Sequence, residues 1–316
     1  GIQVGAPVFY DYTVKAANDA EKVSSDYPSI NQDDCYASGS NNNRITMGAM
    51  THQYNGKYQY VWSKDGKQVN DWTGNSTVIK GLLGGINSDG SVRFNYPDPG
   101  LFTNTDKTVT INGEERYLRQ VYKGYSIEFE RNGDTYTLNQ VKDSSGNVVT
   151  GQYNKETGND FFPLDTVAKS YENSYTQKSD SGLTSDNKTH NYYFGMRYDI
   201  EFTLGDYIGD LNYSFTGDDD MWVVLDGGKE DSPGTVIIDL GGIHDAATET
   251  VDLWEKLYNG QFKNNRTGLS LEQKAEKHTL TVLYLERGAG LSNCKMNFTL
   301  PEITISQVTT GQLGKL

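Results

Sequence analysis

Met196-Arg197-Tyr198-Asp199-Ile200-Glu201-Phe202-Thr203-Leu204 alternates strictly between apolar and polar side chains. A β-strand turns successive side chains to opposite faces, so a period of two spells a strand with one buried and one solvated face. The period returns at Cys294-Lys295-Met296-Asn297-Phe298-Thr299-Leu300 and, more briefly, at Tyr58, Tyr60 and Trp62. Asn55-Gly56, Asp65-Gly66, Asp89-Gly90, Asn112-Gly113 and Asn132-Gly133 tolerate positive φ, and such pairs close tight antiparallel hairpins. The expectation is all-β: an antiparallel β-sandwich or barrel of many short strands. Helix is confined to Asp252 to Tyr258 and to a turn or two opened by the capping box of Ser270 and Gln273. The polar stretches 38–43 and 177–188 read as a surface loop and a linker.

Of the 316 residues, 35% are hydrophobic, and the 22 tyrosines supply much of the apolar area. Tyrosine buries its ring while its hydroxyl stays wet or hydrogen-bonded, which suits sheets with one solvated face, and such a chain can still bury a sizeable core. Twenty-eight Lys and Arg against 42 Asp and Glu give a net charge of −14. An acidic surface argues against nucleic acid and anionic membranes as partners and fits cations, neutral glycans or basic proteins. No run approaches the ~18 apolar residues of a membrane span. The chain opens on Gly1 and shows no signal peptide or sorting motif, so it reads as a domain of a longer protein. Cys35 and Cys294 are too few for a thiolate zinc site. Either they join in a disulfide, which over so long a loop would stabilise by about 5 kcal/mol, or they are two free buried thiols.

The chemistry concentrates at Phe215-Thr216-Gly217-Asp218-Asp219-Asp220-Met221-Trp222-Val223-Val224-Leu225. Three adjacent carboxylates repel one another unless a cation neutralises them, and the apolar strand that follows fixes them to the rim of a sheet. Oxygen ligands on a rigid loop are what a hard cation such as calcium prefers. Alternatively, the run is a solvated acidic turn. Val236-Ile237-Ile238-Asp239-Leu240 reads as a buried strand ending at Gly241-Gly242, where a second backbone can come close. His244, just beyond, either contacts a ligand or hydrogen-bonds in a corner of the fold. A strand through Leu280, Val282 and Tyr284 leads into Glu286-Arg287-Gly288-Ala289-Gly290-Leu291-Ser292-Asn293, a glycine-rich loop whose carbonyls are neutral calcium ligands.

These segments, in this order, resemble the fibro-slime domain, a branch of the protective-antigen-type lectin sandwich that also includes yeast flocculins. The resemblance is dense over residues 191–303, and it makes 191–316 the sandwich core. It is weaker over 1–190, where Val8-Phe9-Tyr10-Asp11-Tyr12 and Phe161-Phe162-Pro163-Leu164-Asp165 are similar to family segments. It implies that residues 1–190 supply edge strands and an insertion of the same domain. It also implies that Asp218 and Asp219, joined by a cis peptide, ligate calcium with carbonyls of Gly288, Ala289 or Leu291. A glycan would meet that ion within a rim formed by Asp218, Asp219, Asp220, Trp222, His244, Arg287 and Asn293. The sequence departs from the pattern in two ways. Arg287 stands where the lectins often place an Asn or Asp ligand, leaving Asn293 as the substitute, and Asp220 stands where Gly is frequent.

The function expected is that of a calcium-dependent adhesin domain of a bacterial surface protein. Its ligand would be a glycan of a host cell, a plant polysaccharide or a neighbouring microbe, and the domain would be extracellular, attached through parts of the parent protein outside this chain. A structural or protein-binding module, in which calcium only staples the loops and a protein receptor docks elsewhere, is the alternative. An enzyme is not expected. Consecutive aspartates cannot flank one glycosidic bond from both sides. No nucleophile signature is present, and His52, His190, His244 and His278 have no metal spacing.

Overall fold

In a computed structural model, the chain is described over residues 2–12, 80–95, 100–111, 114–167, 176–178, 189–191, 194–242, 246–286, 292–301 and 303–305, with residues 78 and 244. The short strand pairs 53–54/57–58 and 63–64/67–68 complete the described part. The strands used below are β1 (Ile2–Gly5), β2 (Val8–Tyr12), β3 (Leu83–Ile86), β4 (Val92–Phe94), β5 (Lys107–Ile111), β6 (Glu114–Tyr122), β7 (Ser126–Asn132), β8 (Thr135–Lys142), β9 (Phe194–Phe202), β10 (Asn212–Gly217), β11 (Met221–Leu225), β12 (Thr235–Leu240), β13 (Ala247–Asp252), β14 (His278–Glu286), β15 (Cys294–Thr299) and β16 (Ile303–Ile305).

The fold is an all-β sandwich. One sheet runs β1-β7-β8-β15-β10-β13, and the other runs β12-β11-β14-β9-β2-β6-β5 with β16 added beside β9. Every pairing in both sheets is antiparallel. Strands from the first half of the chain therefore hydrogen-bond directly to strands from the second, β2 to β9 and β8 to β15. The strands flanking each of the five Asn-Gly and Asp-Gly pairs are antiparallel partners, and at Gly90 and Gly133 the positive φ that such turns need is present.

The inner faces meet over the inward-pointing residues of these strands, among them Met196, Tyr198 and Ile200 of β9, Met221 and Val223 of β11, and Met296 and Phe298 of β15. Phe298 lies between aromatic neighbours, with ring centroids 4.9 Å from Phe129, 5.1 Å from Tyr136 and 5.9 Å from Tyr213. The tyrosines keep their hydroxyls satisfied inside this layer. The Tyr198 and Tyr213 hydroxyls hydrogen-bond across the sandwich at 3.2 Å, and both lie within reach of Met296 Sδ, at 3.2 and 3.3 Å. Burial pushes both phenols above their ordinary pKa.

The outer face of the larger sheet is also covered. The arm formed by β3, β4 and residues 100–106 lies across it. Trp222 packs edge-on to Phe94 at 5.5 Å, Tyr10 against Phe102 at 5.6 Å, and the Arg197 guanidinium donates to the Gly90 carbonyl at 2.6 Å. This corrects the reading of β9 as half-solvated. Its polar positions Arg197 and Asp199 are buried, and they are accommodated because Arg197 lies 3.5 Å from Asp199, which also accepts from Thr281 Oγ1 at 2.5 Å. β15, whose polar positions remain half-buried, behaves as the alternation predicts. Met221 to Leu225 lacks alternation because β11 is buried on both sides.

Both helical expectations are met in miniature. Asp252 accepts from Trp254 N to open a 3-10 turn at Leu253–Glu255, and Ser270 and Gln273 form a reciprocal capping box on α1 (Leu271–Ala275). The stretch read as a linker is different: Gln177 and Lys178 belong to a strand paired with Thr189–Asn191, and residues 179–188 lie outside the described part. Cys294 is a buried free thiol, and Cys35 lies outside the described residues.

Trp222 is fully buried between the sheet and the arm. Replacing it by alanine should cost about 3–5 kcal/mol of folding stability. Urea unfolding measures this, and a loss below ~1 kcal/mol would mean the arm does not depend on that ring.

Candidate functional site

Asp218 and Asp219 form the step by which the chain leaves one sheet and enters the other. β10 ends at Gly217 in the smaller sheet and β11 begins at Met221 in the larger one. The chain crosses back between the same two sheets from β14, ending at Glu286, to β15, starting at Cys294. Strand pairing puts the ends of the two crossings side by side. Gly217 is the partner of Cys294, so Asn293 follows beside Asp218; Met221 is the partner of Tyr284, so Asp219 follows beside Glu286. The Leu285 amide donates to the Asp220 carbonyl at 3.0 Å and extends that register by one residue.

The crossing is tight. A Cβ on Gly217 would stand 2.2 Å from the Phe215 ring and 2.7 Å from the Asn293 carbonyl oxygen, so only glycine fits before the aspartates. The Gly-Gly turn after β12 closes the corner: Gly242 N donates to the Asp220 carboxylate, and His244 N donates to the Asp218 carbonyl at 3.0 Å. From the side, Asn293 Nδ2 donates to the Thr157 carbonyl at 2.9 Å and to Asn159 Oδ1 at 2.8 Å, tying in the segment that precedes Phe161.

The corner is acidic and dry. Asp219 is 3% exposed, Asp220 is fully buried and Glu286 is 1% exposed, while Asp218 is half-buried. Glu286 continues the inward phase of Leu280, Val282 and Tyr284. Its Oε2 accepts from Tyr284 Oη at 2.9 Å, and its Oε1 and the Asn293 Oδ1 receive no hydrogen bond from any described group. Burial, then the negative charges of Asp219 and Asp218, hold the Glu286 carboxyl well above the usual carboxylate range. The charge of Glu286 adds to burial in pushing the Cys294 thiol up as well.

The structure thus brings together Asp218, Asp219, Asp220, His244 and Asn293, and adds Glu286, a residue the sequence reading did not single out. Trp222 is not at the corner's mouth but on the covered outer face of the sheet, against Phe94. Asp220 is bound into the Gly-Gly turn. Arg287, Gly288, Ala289 and Leu291 lie outside the described residues, and none of the described peptide bonds is cis, the Asp218–Asp219 bond included.

A hard cation fits the donor set of Asp218, Asp219, Glu286 and Asn293, which offers only oxygens. Among the described residues no three His, Cys, Asp or Glu side chains are set closely enough to grip an ion as they stand. An ion there would need the carboxylates to draw in around it, or carbonyl oxygens to complete its shell.

No family model matches the chain. Among curated proteins, it is similar to several proteins of Dictyostelium discoideum. It is 37% identical to Protein psiC over 129 residues, 41% of this chain and 20% of that protein. It is 33% identical to Protein psiI over 93 residues, 29% of this chain and 11% of that protein. It is 35% identical to Protein psiD over 95 residues, 30% of this chain and 16% of that protein. The matched part thus spans a fifth or less of these relatives' length.

Because the folded protein holds a proton on Glu286 more tightly than the unfolded chain does, stability should fall as pH rises above the ordinary glutamate range near 4.5. In chelator, Glu286→Gln should flatten that fall and leave the protein more stable than wild type at neutral pH. Thermal unfolding across pH measures it; parallel profiles for the two proteins would mean that Glu286 carries no such burden.

Proposed function

We propose that this domain is a calcium-dependent adhesin module that acts outside the cell and binds glycan hydroxyls through an ion at the crossover corner. The single observation that carries the reading is the nearness of Asp218, Asp219 and Glu286, set by the strand pairs Gly217 with Cys294 and Met221 with Tyr284. Three carboxylates in a water-poor corner cost energy that a divalent cation would convert into stabilisation. Asp219 and Glu286 would hold the ion from the sheet side, Asn293 from the facing crossing, and Asp218, the most exposed carboxylate, would lie at the entrance. Calcium so held would supply coordination positions for vicinal hydroxyls. The resemblance of the Gly-Asp-Asp-Asp and Glu-Arg-Gly-Ala-Gly segments to the fibro-slime domain supports the same reading.

A second reading has its own observation. Asp219 and Glu286 are almost wholly buried, so an ion there could be sealed from ligands and serve only to pin the two crossings together while a protein partner docks elsewhere. The two readings share the ion and differ in its access.

Chelator-treated protein titrated with calcium by calorimetry should show one saturable site, absent in Asp219→Asn. Calcium at a hundredfold its dissociation constant should raise folding stability by about 2.7 kcal/mol. Glycan-array binding that is lost in chelator and in Asp219→Asn supports the lectin reading. Calcium stabilisation with no glycan bound supports the sealed site, and no calcium binding by wild type refutes both.

A further inference from the structure

Three Asn-X-Ser/Thr triplets lie among the described residues: Asn212-Tyr213-Ser214, Asn265-Arg266-Thr267 and Asn297-Phe298-Thr299. Such a triplet is the acceptor signal for an asparagine-linked oligosaccharide in an exported chain. It is short enough to arise by chance, so the fold around each asparagine has to decide between the three. We propose that Asn265 is an N-glycosylation site, an inference that rests on the reading of this domain as one that acts outside the cell.

Asn212 belongs to β10 and Asn297 to β15, both interior strands of the smaller sheet. Asn212 pairs with Thr299, and Asn297 with Ser214. Both asparagines are half-buried, and an oligosaccharide on either would lie across the side chains of a neighbouring strand. Asn265 stands apart. It is exposed, as is Thr267, in a turn where Asn265 N donates to the Phe262 carbonyl at 3.1 Å and Gly268 N to the Asn265 carbonyl at 3.0 Å. Arg266 between them holds the turn down. Its Nη1 donates to the Ile208 and Gly209 carbonyls, each at 3.1 Å, and its guanidinium lies 5.2 Å from the centre of the Trp254 ring. The middle residue of the triplet is thus turned to the protein, while the two that make the signal face solvent. Thr267 Oγ1 stands 3.5 Å from Asn265 Oδ1. On the other side is Gly268, where a Cβ would come within 2.4 Å of Asn265 Nδ2, so glycine keeps the acceptor nitrogen uncrowded.

The place in the fold suits a modification that must not obstruct the crossover corner. Trp254 Nε1 donates to the Gly209 carbonyl at 2.8 Å, and Leu253 N to the Leu211 carbonyl at 2.7 Å. The turn therefore sits at the end of the sandwich where β10 begins, and the aspartates follow its other end. A strand of that length spans roughly 20 Å. A glycan on Asn265 would cover the Trp254 end and leave the corner open. Transfer joins Asn265 Nδ2 to the anomeric carbon of a polyprenyl-pyrophosphate-linked oligosaccharide. The bond from that carbon to the pyrophosphate oxygen breaks, and the proton that Nδ2 gives up ends on the released polyprenyl pyrophosphate.

The test is peptide mass mapping of the full chain, secreted from eukaryotic cells behind an export signal, before and after treatment with peptide N-glycosidase. That amidase leaves Asp where a glycan-bearing Asn stood. The expected result is conversion at position 265 in most molecules, with occupancy several-fold lower at Asn212 and Asn297. Thr267→Ala should abolish the modification and Thr267→Ser should retain it, because the hydroxyl is the part of the signal that the pair of variants separates. Position 267 is exposed, so both variants should fold, and matching thermal unfolding curves check this. An unmodified Asn265 in folded, secreted wild type overturns the proposal, as does modification that persists in Thr267→Ala or equal occupancy of all three triplets. Calcium titration of the same sample keeps the two readings apart: absent calcium binding counts against the corner and leaves the result at Asn265 standing.

Discussion

The register between β11 and β14 is the constraint on which the site depends. Pairing Met221 with Tyr284 puts the Asp220 carbonyl on the Leu285 amide and leaves Asp219 and Glu286 as the next neighbours, on the same side of the sheet as the core. A slip of one residue would turn every inward side chain of β14 outward. The packing of Leu280, Val282 and Tyr284 therefore compels the carboxylates to share a dry corner. Repulsion there is a consequence of the hydrophobic core. Glycine at 217, the Gly-Gly turn on Asp220 and the Asn293 amide on Thr157 all tighten that corner rather than relieve it.

Coverage of the larger sheet on both faces explains how a chain with so little aliphatic residue holds a sandwich together. The arm over β2, β9 and β11 buries a second layer of aromatic rings, and tyrosine hydroxyls find partners at each level: Tyr10 on Asn104, Tyr12 on the Leu101 carbonyl, Tyr198 on Tyr213. These tyrosine rings bring apolar area without leaving their hydroxyls stranded.

Much of the architecture was legible in the sequence, because alternation and turn chemistry are local signals. β15 and the capping box of α1 follow their patterns residue by residue. The reading of β9 went astray because alternation reports polarity, not exposure. Arg197 and Asp199 are polar and buried, and the arm that buries them comes from a hundred positions earlier in the chain, as the Arg197 bond to Gly90 illustrates. At the site, the aspartate run announced itself by composition. Glu286 did not, although its phase with Leu280, Val282 and Tyr284 was a usable sign that a carboxylate was being turned inward. Trp222 was drawn toward the site by its nearness in sequence to the aspartates, but two-residue periodicity sends it to the opposite face from Met221.

The most direct test of the account is a crystal structure grown in saturating calcium, with an anomalous difference map. The account places a peak at the crossover corner, ~2.3–2.6 Å from carboxylate oxygens of Asp218, Asp219 and Glu286. A corner that holds no cation under those conditions, with Glu286 hydrogen-bonded to Asp219 through a shared proton, would contradict it.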